Sequence, residues 1–102
     1  MNGGPLRRTV TVTNPMGFHF RPIAAFAQLA GRFQGNVTVW KGDRRVNGKS
    51  PLELMTLAAE QGTELTVEVS GPDAAGAVDA LAEVLASPGQ EDEPEPPLPL
   101  KG

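Results

Sequence analysis

The chain has 102 residues, 39% of them hydrophobic, which suits one small domain with a modest core and not a multilayered enzyme. It contains no cysteine, so disulfide frameworks and thiolate metal sites are excluded. A net charge of −3, the absence of tyrosine and the lack of a basic run carrying aromatics argue against nucleic-acid binding. No apolar run approaches the roughly 20 residues of a membrane span, and the opening MNGGPLRR lacks the apolar core of a signal peptide. A cytoplasmic protein without membrane insertion is therefore expected. The charge is unevenly spread: residues 1–50 carry eight Lys/Arg against the single acid Asp43, and residues 51–86 carry seven acids and no base. Folding is expected to interleave the two halves, although such asymmetry also marks partner surfaces.

Residues 1–6 are read as a flexible N-terminus. RRTVTVTN then alternates like a strand, with Val10 and Val12 on one side and threonines on the other. NPMG reads as a turn. Ile23, Phe26, Ala27, Ala30 and Phe33 follow at helical spacing, and Pro22 requires this helix to begin at about residue 20. That start makes His19 the N-cap or its neighbour. NVTVWKGDRRVNG is a hairpin signal, with Val37 and Val39 alternating with polar neighbours, Gly42-Asp43 at the turn and Val46 on the returning strand.

Next, SPLE predicts a helix start, with Ser50 as N-cap, Pro51 at the first helical position and Glu53 closing a capping box. The helix is expected to run through LELMTLAAE and to stop at Gly62. TELTVEVS buries Leu65, Val67 and Val69 as a strand. GPD opens a last helix that turns Ala74, Ala77, Val78, Leu81, Val84 and Leu85 inward. From residue 87 to 102 prolines and acids replace the pattern, as in a disordered acidic Pro-rich tail. The predicted order is β-α-β-β-α-β-α. An α+β domain over residues 7–86, an antiparallel sheet with helices on one face, accommodates it.

His19 is the sole histidine, two residues before Arg21 and three before Pro22. First-turn N–H groups have no intrahelical acceptor and carry the positive end of the helix dipole, so a helix mouth suits an anion such as a phosphoryl group. Arg21 adds a permanent positive charge with a forked donor. A helix end contributes about 0.3–1 kcal/mol and a charged hydrogen bond roughly 1.5–3 kcal/mol. Together they steady a phosphohistidine without trapping it. The plainer reading is that His19 only caps the helix, although Ser, Thr, Asp and Asn are commoner caps. A histidine metal site or a catalytic triad lacks material: there is no second histidine, and no acid within twenty residues of His19.

GFHFRPIAAFA, followed by VNGKSPLELMTLAAEQGTELTVEVSG, resembles the HPr phosphocarriers of the bacterial phosphoenolpyruvate-dependent sugar phosphotransferase system. The resemblance spans about residues 7–86 and rests on G-x-H-x-R-P followed by N-x-K-S-x-x-x-L. It implies an open-faced β-sandwich with four antiparallel strands and three helices on one face. It places His19 on the phosphorylated histidine, through Nδ1, and Arg21 on the arginine that stabilises the phosphoryl group. Enzyme I is the implied donor and enzyme IIA proteins the recipients, with the chain a monomeric carrier that needs no cofactor or metal. Ser50 falls on a regulatory phosphorylation site, which requires an HPr kinase/phosphorylase in the same cell. Pro51, Leu52 and Met55 fall on the partner-docking patch, where Leu54 and Leu57 compete for the inward face. Three positions depart from the family: Phe20 stands where a small residue is usual, Ile23 replaces an alanine, and Met16 replaces a polar residue. Phe20 enlarges the apolar docking rim. A regulatory HPr paralogue, of the nitrogen-related branch or a pure interaction module, is the alternative these departures leave open.

Overall fold

The computed structural model describes residues 4–87. Its elements are β1 (Leu6–Thr11), α1 (Phe20–Ala30), β2 (Val37–Lys41), β3 (Arg44–Asn47), α2 (Pro51–Met55), β4 (Glu64–Val69) and α3 (Ala74–Ala86). The order matches the one read from the sequence. The first strand begins at Leu6, paired with Val69. The acidic Pro-rich tail lies, apart from Ser87, outside the described residues.

The four strands form one antiparallel sheet in the order β1-β4-β2-β3. Alternation decides which face each side chain takes. Val39, Val46, Leu65, Val67 and Val69 point under the helices and are buried. The opposite face is polar: Thr9 bonds Thr66 across β1 and β4, and Arg7 pairs with Glu68. On that same face Arg7 and Arg45 each lie over the Trp40 ring, whose indole N–H donates to Glu68. α3 packs on β1 and β4, and α1 packs on α3 and on α2. The core gathers between sheet and helices around Phe26, Leu54, Leu65 and Leu81, all fully buried.

Helix α1 buries Ile23, Phe26, Ala27 and Ala30 as their spacing predicts, and Pro22 falls within its first turn. It stops at Ala30, with Gly31 as cap, so Phe33 packs on the core from a turn and not from the helix.

Helix α2 corrects the sequence reading at both ends. Ser50 Oγ accepts the Glu53 N–H at 3.2 Å, as an N-cap should. The reciprocal half of the capping box is missing, because the Glu53 carboxylate accepts the Asn47 N–H and the Ser50 N–H bonds the Asn47 carbonyl. The helix ends at Met55 instead of continuing to Gly62. Thr56 turns its hydroxyl back onto the Glu53 carbonyl, and Leu57 and Ala59 are drawn into the core. Ala58 makes this exit with φ +49°, a left-handed conformation that usually falls to glycine or asparagine. Gly62 (φ +92°) serves a different turn, where its N–H bonds the Val12 carbonyl before β4 begins. A helix prolonged to residue 60 could not return the chain to this pairing. In α3, Ala82 takes the buried place and Val84 is only partly covered.

Candidate functional site

The segment before α1 is built to hold its last residue in place. Asn14 is buried, and its Oδ1 accepts the Met16 N–H while its carbonyl accepts the Gly17 N–H. Gly17 has φ +76°, and a Cβ there would lie 2.6 Å from the Ala59 carbonyl oxygen. Only glycine permits this approach. The next N–H, of Phe18, donates to that same oxygen at 2.9 Å. The Phe18 ring is buried edge-on against Phe26, with centroids 5.9 Å apart and planes at 81°.

His19 follows as the N-cap of α1, in extended conformation, and its carbonyl accepts the Ile23 N–H. Its side chain makes no capping bond, so the plain helix-cap reading loses the hydrogen bond it requires. The ring is half-buried, and its Nδ1 lies 3.1 Å from the Gly17 carbonyl. A carbonyl only accepts, so Nδ1 carries hydrogen in this arrangement. For Nδ1 to act as a nucleophile the ring must leave the Gly17 carbonyl. The bond given up is worth about 0.5–1.5 kcal/mol net.

Arg21 is exposed in the first turn, two residues from His19. The ion pairs found among the described residues use Arg7 and Arg8, leaving Arg21 available to an incoming anion. Those residues hold no group of three or more His, Cys, Asp or Glu able to bind a metal. Two depressions of about 310 and 320 Å³ lie elsewhere, lined by Arg45 and Glu53 in one case and by Arg8 and Asp79 in the other. His19 lines neither of them.

The competition on α2 is resolved in space: Leu54 (0% exposed) and Leu57 (2%) face the core, and Leu52 (76%) and Met55 (49%) face outward. Pro51 is exposed at the start of the helix, and Ser50 beside it is half-buried. Phe20 and Met16, on either side of His19, are 66% and 73% exposed. Among the described residues, four of the five large exposed hydrophobic side chains thus belong to the His19 segment and to α2, the helix packed beside α1. Three contributors escaped the sequence reading: the carbonyls of Gly17 and Ala59, and the left-handed Ala58. Only the glycine in NPMG gave any signal of them.

The family model described as the PTS HPr component phosphorylation site matches residues 6–87. The phosphocarrier protein HPr of Neisseria meningitidis serogroup B is 41% identical over 80 residues, 78% of this chain and 90% of that protein. Among solved structures, HPr from Bacillus anthracis superposes with a TM-score of 0.75 at 34% identity, covering 79% of this chain and 96% of that one. Crh, the catabolite repression HPr of Bacillus subtilis, is 37% identical in its solution structure, with a TM-score of 0.62 over 79% of this chain and 96% of its own.

Proposed function

Since the chain belongs to the PTS HPr family, we propose that it is a phosphocarrier accepting a phosphoryl group on His19 from enzyme I and passing it to enzyme IIA proteins. The observation that carries this reading is the placement of the only histidine at the mouth of α1, uncapped, with Arg21 beside it. The group would originate from phosphoenolpyruvate. In each transfer the phosphorus–nitrogen bond on the donor histidine breaks as a new one forms on the acceptor, with the two nitrogens in line. The chain supplies position and charge: the first-turn N–H groups and the Arg21 guanidinium face the negative oxygens, and the exposed rim of Phe20, Pro51, Leu52 and Met55 docks the partner. His19 Nδ1 is the accepting atom, reached once the ring turns from the Gly17 carbonyl. The carrier acts in the cytoplasm as a monomer, through the domain of residues 7–86.

Incubation with phosphoenolpyruvate and enzyme I tests this directly by intact mass. One phosphoryl group should appear on the protein and disappear in mild acid. A folded protein that stays unmodified beside its own enzyme I refutes the reading. In Arg21→Ala the transfer should slow roughly tenfold to a hundredfold, the kinetic equivalent of one charged hydrogen bond. An unchanged rate would assign the anion to the helix N–H groups alone.

Ser50 is the proposed regulatory site, acted on by an HPr kinase/phosphorylase. A phosphate there would add about two negative charges beside Leu52 and Met55, on the surface a partner must touch. Ser50→Asp carries part of that charge and should weaken acceptance from enzyme I; a rate equal to the native one would leave Ser50 as a helix cap only.

A regulatory paralogue is the second reading, favoured by the exposed Phe20 where the family has a small residue. It predicts that no enzyme IIA takes the group from phosphorylated His19, which a transfer assay decides.

A further inference from the structure

Beneath the His19 segment the chain leaves α2 through Leu57, Ala58 and Ala59, and the two carbonyls that flank Ala58 are both engaged. The Leu57 carbonyl accepts from the Lys41 ammonium at 2.9 Å, a charge-assisted bond reaching from the end of β2. The Ala59 carbonyl accepts the Phe18 N–H at 2.9 Å and abuts the Gly17 backbone so closely that no side chain fits there. Between them stands Ala58, whose left-handed conformation sets the course of the chain from one carbonyl to the other. The Gly17 peptide fixed in this way presents the carbonyl that His19 Nδ1 meets at 3.1 Å. An unbroken line of contacts therefore runs from Lys41, through the Ala58 turn and Gly17, to the imidazole.

We infer that Lys41 is a positioning residue for His19, acting through the left-handed Ala58 turn to set the orientation of the ring. Lys41 touches neither the imidazole nor any reacting atom in this arrangement. Its ammonium holds one end of a short backbone segment whose other end holds the histidine segment. With the ammonium gone, the Leu57 carbonyl loses its partner and the turn is free to relax toward right-handed conformations, which alanine prefers. Such a relaxation would swing the Ala59 carbonyl away from Phe18 and release the Gly17 peptide. The ring would then sample several orientations, and Nδ1 and Nε2 would exchange their roles. The catalytic part of this inference rests on the carrier reading above; the orientation of the ring does not.

Lys41→Met keeps the length and apolar stem of the side chain and removes its charge. In the free protein, the ¹⁵N resonances of the His19 ring should move toward the values of an exchanging pair of tautomers. Lys41→Arg, which keeps a donor, should retain the native pattern. With enzyme I, Lys41→Met should raise kcat for phosphoryl acceptance by up to about tenfold, because Nδ1 no longer has to give up the Gly17 carbonyl, and leave KM near its native value. A pure contact role for Lys41 on a partner would change KM and leave the ring resonances alone, and that result overturns the inference. Ala58→Val carries the same comparison without altering charge, because a β-branched residue resists the left-handed region; Ala58→Leu replaces it if the valine variant fails to fold. Ala58→Gly should keep the ring resonances and raise the melting temperature by about 4–8 °C. Native ring resonances in folded Lys41→Met and in the folded valine or leucine variant would likewise refute the inference. If the native protein accepts no phosphoryl group, the carrier reading falls, and the resonances still decide the role of Lys41.

Discussion

His19→Ala is expected to abolish phosphoryl acceptance completely while lowering the melting temperature by no more than about 10 °C. The first half follows from composition, since no second histidine exists to take over. The second follows from the local structure. The ring is half-buried and caps nothing, and its hydrogen bond to the Gly17 carbonyl contributes about 0.5–1.5 kcal/mol. The helix start does not depend on it, because the His19 backbone carbonyl, which accepts from Ile23, survives the substitution. Intact mass after incubation with phosphoenolpyruvate and enzyme I, set beside a thermal melt, reads both halves at once. A phosphorylated, acid-labile His19→Ala chain would move the chemistry to another residue. An unphosphorylated chain that also failed to fold would make His19 a structural residue first.

Phe26→Ala should be the most damaging single truncation of the core, lowering stability by about 3–5 kcal/mol. Phe26 has no exposed surface, lies on the inward stripe of α1 and touches the edge of Phe18. It also borders Gly48, where even an added Cβ would come within 3.2 Å of the ring, so the surroundings are already close-packed. The void left by the ring cannot collapse without moving α1. For a domain of this size such a loss lowers the melting temperature by well over 10 °C, and denaturant titration measures it directly. A change under about 1 kcal/mol would mean that the helix shifts freely to fill the space. That would contradict the rigid seat described for His19, because Phe18 is anchored against this same ring.

Legibility of the fold followed the period of its apolar residues. α1, β4 and the β2–β3 hairpin obey one period from end to end, so spacing alone places Ile23, Phe26, Leu65 and Val39 inside. α2 failed where the signal lay in backbone and not in side chains. Its pattern runs unbroken to residue 60, and Ala58 performs a turn that a reader expects only from glycine. The capping box failed for a related reason: the Glu53 carboxylate had a competing donor in Asn47, six residues earlier, that a four-residue motif does not include. At the site, His19 and Arg21 stood out because a lone imidazole precedes a proline-marked helix. Their supports did not, because the Gly17 and Ala59 carbonyls have no sequence signature. Lys41, 16 residues from its acceptor, reads locally as one more charge on a strand.

The strand order also sets when this site can exist during synthesis. β1 leaves the ribosome first, yet its only neighbour in the sheet is β4, so residues 6–11 must wait for residues 64–69 before any ladder forms. The hairpin of β2 and β3 closes across two residues, a short and fast loop by comparison. The seat of His19 shares the delay of β1, because the oxygen that receives Phe18 belongs to residue 59. A nascent chain halted anywhere before that residue carries its imidazole on an unanchored segment, and the geometry around the ring arises only when most of the domain has been translated.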